Sequence, residues 1–360
     1  MNDYLDQRIS PWAQLGATMG ILAESGPWPG YESGLSEEEY LSFLQIIETH
    51  YQYNGWFTQE NIRKALWAWN KALTAENLKT WLSAYELKDF SNDPKNVGLI
   101  CAGNIPLVGF HDVLSVLISG HKAIIKLSSD DNRLIPALLN ILCVFEPAYK
   151  ERFELMPRKL EGHDAVIATG SNNTARYFNY YFRDVPHIIR KSRTSIAVLD
   201  GTETKAELTE LGHDIFDYFG LGCRNVSKIY VPQGYDINRF FEAIYDFHPI
   251  VNHNKYANNY DYNKAVWLLN CENLLDNGFI LLKEEKRIAS PTGSLYFEHY
   301  ADRESITRLL NEHEHELQCV IGKGFIEFGE SQAPHLWDYA DGVDTMSFLS
   351  ELHKKQSIIG

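Results

Sequence analysis

The sequence is short of several things, and each shortage removes a class of function. It is short of basic charge: 33 Lys and Arg stand against 48 Asp and Glu, a formal net charge of -15 over 360 residues. Nucleic acids and anionic membrane surfaces bind through basic patches, so neither is an expected partner. A phosphorylated small ligand in a local basic pocket stays compatible with that charge. Long apolar runs are missing too, and none approaches the roughly 18 residues of a membrane span. The opening MNDYLDQRISPWAQ lacks the basic-then-apolar pattern of a secretory signal. Cysteine is sparse: Cys101, Cys143, Cys223, Cys271 and Cys319 are scattered, odd in number and form no C-x-x-C pair. Such thiols fit a reduced, cytoplasmic protein with no disulfide framework and no metal site.

What is present is ordinary for a globular protein with a large core: 44% hydrophobic and 22% charged residues. At roughly 100–200 residues per domain, the length suggests two or three domains, or two lobes. The first ninety residues read as helices, in LSEEEYLSFLQIIETHY, TQENIRKALWAWNKAL and TAENLKTWLSAYEL, with Ser36, Thr58 and Thr74 as caps. Strands and helices then alternate. VGLICAG, KAIIKLS, DAVIATG and TSIAVLD read as strands, with helical runs between them. A second series follows, with VSKIYVP, GFILLKE, SLYFEHY and CVIGKGFIEFG as its strands. Alternation of this kind predicts parallel sheets covered by helices, an α/β fold.

Four short stretches carry polar chemistry. CAGNIPLVGF places Asn104 after a strand, where it is either a turn residue or an amide donor. IIKLSSDD ends a strand at Lys126, followed by Ser128 and Ser129. This suits a ribose or phosphate, or is a solvated strand end. IATGSNNTARYF closes a strand at Thr169, Gly170 and Ser171 and starts a helix at once. Ser171 is an ordinary N-cap, or the helix start receives a phosphate. FGLGCRNVSKIYVP sets Cys223 beside glycines and next to Arg224 and Asn225. Free cysteine is usually a small buried hydrophobe. Glycines that let a substrate approach, and a cation that favours the thiolate, fit a nucleophile instead. No G-x-G-x-x-G fingerprint closes these strands; GLGCRN has two of its glycines but precedes a strand.

In order and spacing these stretches resemble the aldehyde dehydrogenase superfamily, and within it the acyl-CoA reductase (LuxC-type) branch. GNIPLVGFHDVLSVLISGHKAIIKLSS resembles the superfamily's W-N-[FY]-P segment running on to K-P-S-E. ATGS resembles F-T-G-S, and GLGCRNVSKIYV resembles the nucleophile segment G-Q-x-C-x-x-x-x-R-I-x-V. SPTGSLYFEHYADRESITRLLNE resembles the stretch after the superfamily's E-[IV]-F-G-P. The likeness covers about residues 95–325.

The resemblance implies a fold of two lobes, each a mostly parallel sheet covered by helices, with a helical N-terminal region. The expected division is 1–195 for that region and the dinucleotide-binding domain, 196–345 for the thiol domain and 346–360 for the tail. Cys223 would be the nucleophile, with the Asn104 amide and the Cys223 N–H as its oxyanion hole. Lys126, Ser128 and Ser129 would hold the adenosine ribose or its phosphate, and Thr169, Gly170 and Ser171 the pyrophosphate. The implied reaction is reduction of a fatty acyl thioester, acyl-CoA or another donor, to an aldehyde.

Four departures sharpen this expectation. Hydrolytic members carry a Glu in E-L-G-G-K; here the matched stretch is HIIRKSRTSIAVLD and the Glu position falls near Ile188. Without that carboxylate to activate water, hydride rather than water is expected to meet the acyl-enzyme. The ribose-binding Glu of E-[IV]-F-G-P aligns with Arg287, beside Glu284 and Glu285. The hairpin that builds family tetramers has no room in KDFSNDPKNVG, which leaves a homodimer, or an acyl-donor protein, as the assembly to test. Where K-P-S-E carries Glu, this chain has Ser129, and a hydroxyl accepts a 2′-phosphate that a carboxylate repels. The expected cofactor is NADPH, with NADH left open. RDVPHIIRKSR is read as facing CoA phosphates or as a solvated edge. HNKYANNYDYNKAVW is read as an acyl channel or as ordinary helix packing. An acyl-phosphate reductase, a cysteine acyltransferase or thioesterase without nicotinamide, and a non-catalytic descendant remain the alternatives.

Overall fold

The computed structural model describes residues 2–86 and 93–352. By its internal contacts the chain forms two units. One holds the described residues up to Lys191 together with those from Ala333 onward; the other is Ser192–Gln332. The divisions stand at 191/192 and 332/333, against the expected 195/196 and 345/346.

The first unit opens with helices α1 (Asn2–Glu24), α2 (Glu37–Thr49), α3 (Gln59–Ala72) and α4 (Ala75–Ser83). Ser36, Thr58 and Thr74 cap α2, α3 and α4, each accepting a backbone N–H three residues on. Ser36 completes a capping box with Glu39, as its S-E-E-E sequence requires. The sheet that follows consists of β1 (Asn96–Ile100), β2 (Lys122–Lys126), β3 (Phe153–Leu155), β4 (Ala165–Thr169) and β5 (His187–Arg190). All its pairings are parallel, in the order β3-β2-β1-β4-β5. Helices α5 (Phe110–Ile118), α6 (Leu134–Phe145) and α7 (Asn172–Tyr181) make the crossovers. Strand order reverses between β1 and β4, so the crevice beyond their carboxyl ends is where an open α/β sheet takes a ligand.

The second unit carries β6 (Thr194–Val198), α8 (Lys205–Phe216), β7 (Val226–Pro232), α9 (Ile237–Ala243), α10 (Asn254–Leu269), β8 (Leu275–Asp276), β9 (Leu281–Glu284), β10 (Ser294–Tyr300), α11 (Arg303–Glu312) and β11 (Leu317–Gly322). Its sheet runs β11-β6-β7-β10-β9-β8, parallel except for β8 against β9. Strand β6, the TSIAVLD stretch that closed the first series in the sequence, pairs here with β7 and β11. One face packs Ala197, Ile229, Val231, Leu282 and Leu295 against α8 and α9; the other buries Ile196 and Tyr230 with Ile306 of α11.

Candidate functional site

In the first unit, the turns after β1, β2 and β4 meet at one edge of the sheet. Ile100 pairs with Lys126 on one side and with Ala168 on the other, so the residues that follow these three strands are neighbours. Asn104 is exposed in the turn after β1. Gly103 allows the close approach of this turn to the next: a Cβ there would stand 2.7 Å from the Ser128 Cβ. The Ser128 hydroxyl accepts the Asp130 N–H at 3.2 Å, and Ser129 is exposed. Lys126 is half-buried at the end of β2. Ser171 caps α7, accepting the Thr174 N–H at 3.2 Å. At Gly170 a Cβ would stand 3.0 Å from the Thr174 side chain, a tight contact. The structure thus brings Asn104, Lys126, Ser128, Ser129, Thr169, Gly170 and Ser171 to one edge of one sheet.

Cys223 belongs to the second unit. It lies three residues before β7, at the amino end of its strand, whereas the turns of the first unit lie at carboxyl ends. Between α8 and Cys223 the chain turns sharply. Tyr218 (φ 54), Phe219 (φ 59) and Gly220 (φ 73) are consecutive left-handed residues. For Tyr and Phe this backbone costs about 1–2 kcal/mol each, and such strain gathers at functional turns. The Phe219 ring stacks on His253 at 4.2 Å. Cys223 itself is half-buried, and its carbonyl accepts the Ser195 hydroxyl at 3.0 Å. Asn225, 2% exposed, accepts the Gly222 N–H at 2.8 Å and donates to the carbonyls of Asp214 and Asp217.

The other thiols have different surroundings. Burial pushes the Cys101 thiol far up, with Asp112 and Asp131 adding to it. Burial also raises Cys143 and Cys319. Cys271 is exposed at the end of α10. Among the described residues no group of three or more His, Cys, Asp and Glu stands close enough to hold a metal, and no helix is long and apolar enough to cross a membrane.

Two stretches singled out in the sequence take structural roles. RDVPHIIRKSR is not a single cationic face. Arg190 is 3% exposed inside β5 and donates to the Ala340 carbonyl (2.6 Å), Asp112 (2.8 Å) and Thr345 (2.8 Å). Arg183 lies over the Tyr180 ring, and Arg193 donates to the Leu317 carbonyl. Ile188, near the expected position of the absent carboxylate, is buried in β5. In α10, Tyr256 donates to the Phe279 carbonyl, Tyr260 to Asp276, and Trp267 stacks on Tyr296, which is helix packing. Tyr256 also lines a cavity of about 30 Å³ with Phe216, Phe219 and Ile280, room for about one water and not for an acyl chain. KDFSNDPKNVG falls partly outside the described residues.

Residues 94–244 match the family described as acyl-CoA reductase (LuxC). That segment contains Asn104, Lys126, Ser171 and Cys223. Over that segment the chain is similar to the LuxC acyl-CoA reductases, and its fold is aldehyde dehydrogenase-like. It is 27% identical over 165 residues to long-chain acyl-protein thioester reductase 2 of Photobacterium leiognathi, covering 42% of this chain and 34% of that protein. It is 26% identical over 155 residues to the long-chain acyl-protein thioester reductase of Aliivibrio fischeri, covering 38% and 32%. The chain thus spans about a third of the length of these curated relatives. Aldehyde dehydrogenase 21 from Physcomitrella patens has the same fold, with a TM-score of 0.63 at 11% identity over 96% of this chain and 88% of that one. Indole-3-acetaldehyde dehydrogenase of P. syringae, solved with NAD+, gives 0.57 at 15% identity over 85% and 70%.

The first unit suits a dinucleotide. A bare-backbone turn at Gly170 leads into the start of α7 beside the switch point of the sheet, which fits a pyrophosphate. Lys126 ends β2 and the Ser128 and Ser129 hydroxyls follow it; β1 separates β2 from β4.

Sequence reasoning missed the supporting roles of Ser195, Asn225 and Asp131, and it read Arg190 only as part of the RDVPHIIRKSR cationic segment. Only Asn225 left a signal, an Asn two residues after the cysteine in a tight turn, where its side chain bonds local backbone.

Proposed function

We propose that this chain reduces an acyl thioester to an aldehyde through a Cys223 acyl-enzyme. The observation that carries the reading is the LuxC match itself, which takes in Asn104, Lys126, Ser171 and Cys223 in order. The names of the two curated relatives support a thioester substrate. The Cys223 thiolate attacks the thioester carbonyl. The Cys223 N–H and the Asn104 amide carry the charge that develops on the oxygen. The thiolate of the donor leaves, and the acyl group stays on Cys223. NADPH, when bound, would supply the hydride that releases it as aldehyde. Lys126, Ser128 and Ser129 would hold the adenosine ribose and its 2′-phosphate, and Thr169, Gly170 and Ser171 the pyrophosphate. Ile188, near where hydrolytic relatives carry their Glu, has no carboxylate to recruit water, so the acyl group waits for hydride.

The donor is acyl-CoA or an acyl-protein, the site of action is the cytoplasm, and the chain works as a homodimer or with an acyl-donor protein. The test is NADPH oxidation with an acyl-CoA panel and with an acylated carrier protein. Wild type consumes NADPH with at least one donor, and Cys223→Ala does not. Thioester cleavage without NADPH oxidation shows a thioesterase instead, and turnover only with an acyl phosphate shows the sister reductase.

A further inference from the structure

The Cys223 N–H is useful as an oxyanion donor only if it points outward from the turn before a substrate arrives. The amide that carries it also carries the Gly222 carbonyl. In a trans peptide these two groups point in opposite directions, and no described peptide bond is cis. The Gly222 carbonyl accepts the Asn225 backbone N–H at 3.1 Å. The Cys223 N–H is therefore aimed away from Asn225.

The planes on either side are held as well. Before it, the Gly222 N–H is given to Asn225 Oδ1 at 2.8 Å. Asn225 Nδ2 in turn donates to the carbonyls of Asp214 at 3.1 Å and Asp217 at 2.8 Å, which anchors the turn to the end of α8. After it, the Cys223 carbonyl takes the Ser195 hydroxyl at 3.0 Å. Ser195 is fully buried in β6 and its oxygen is itself fixed by the Cys319 N–H at 3.2 Å. Three consecutive peptide planes are thus locked, and the middle one bears the donor. Every hydrogen-bonding group of Asn225 is engaged, since its carbonyl also accepts the Ser195 N–H at 3.3 Å.

We infer that Asn225 and Ser195 are positioning residues that hold the Cys223 N–H as a preorganised oxyanion donor. The inference rests on the reading of Cys223 as the acyl nucleophile. A donor fixed in advance needs no reorganisation when charge develops, and losing one such donor slows acyl transfer by about 10²–10³. Loosening it through its support costs part of that.

Acylation and alkylation of the same thiol separate this role from a merely structural one. Attack on a thioester builds an oxyanion; attack on iodoacetamide does not. The experiment compares wild type with Ser195→Ala, Ser195→Thr and Ser195→Cys. It measures Cys223 acylation by acyl-CoA in single turnover by quenched intact mass, and Cys223 alkylation by iodoacetamide. Ser195→Ala is expected to acylate about tenfold to a hundredfold more slowly, with alkylation unchanged within about twofold. Ser195→Thr, which keeps the hydroxyl, restores most of the rate. Ser195→Cys keeps the packing with a weaker donor and gives the same split if the alanine variant does not fold. Equal acylation rates in wild type and the variants overturn the inference, and so does a parallel fall of acylation and alkylation. A wild type that alkylates but never acylates overturns instead the reading of Cys223 on which it stands.

Discussion

The Asp131 carboxylate accepts the Leu107 backbone N–H at 3.1 Å. Leu107 lies three residues past Asn104 and is left-handed, at φ 62. The second Asp131 oxygen faces the Leu134 N–H at 3.4 Å and His50 at 3.8 Å. A buried acid from the turn after β2 therefore fixes the turn after β1, where Asn104 is displayed.

Replacing that acid tests the link. Asp131→Ala leaves a buried N–H without its acceptor, which costs about 1–3 kcal/mol. Urea unfolding should show the midpoint falling with an unchanged m-value. Acyl transfer should slow as well, as the Asn104 turn loses its clamp. A midpoint unchanged from wild type rules the clamp out.

Arg190 stands in a segment that the sequence reads as facing CoA phosphates or as a solvated edge, and the structure ties it instead to Asp112, Thr345 and Ala340. Arg190→Met should destabilise by about 3–5 kcal/mol, because it leaves the Asp112 carboxylate without its buried partner. At temperatures where the variant stays folded, the inhibition constant of free CoA should match wild type. A weakened CoA affinity with stability intact points back to a phosphate contact.

Cofactor choice turns on Ser129. Ser129→Glu places a carboxylate where a 2′-phosphate is expected, and like charges repel. NADPH should bind about tenfold more weakly or worse, with NADH little changed, as read by nicotinamide fluorescence titration. Equal losses for both show that Ser129 does not meet the adenosine ribose.

Glu285 and Arg287 give a pH signature. The Arg287 guanidinium, 2.8 Å away, holds the Glu285 carboxyl at about 2, well below its ordinary 4.5. A depressed carboxyl stabilises the fold above its unfolded value and loses that contribution as pH falls from 4.5 toward about 2. Arg287→Ala should cost only about 0.2–1 kcal/mol at pH 6, since the pair is largely solvated. The gap from wild type should close by pH 2–3 in thermal melts taken across the acid limb. A gap that persists at low pH assigns the loss to packing of Arg287 over Tyr296.

Much of this was legible in the chain. The caps at Ser36, Thr58, Thr74 and Ser171 follow local rules and appear where the sequence puts them. The strands ending at Lys126 and Thr169 declare themselves by apolar runs with polar ends. Strand β5 did not, because Arg190 reads as a surface residue and is buried only by partners far along the chain, at Asp112 and Thr345. Periodicity marked TSIAVLD as a strand but is silent on partners, and only pairing shows that it lies beside β7. The supports of the candidate site are legible least. Ser195 reaches Cys223 across 28 residues and Asp131 reaches Leu107 across 24, and such contacts have no local signature.

The central claim is that Cys223 holds an acyl group for hydride. Intact mass spectrometry of the protein incubated with acyl-CoA, without nicotinamide, tests it most directly. The expected spectrum shows one acyl mass added, mapped to the Cys223 peptide, absent from Cys223→Ala and discharged as aldehyde when NADPH is supplied. No adduct with any acyl thioester, or an adduct carried by another of the thiols, contradicts the account.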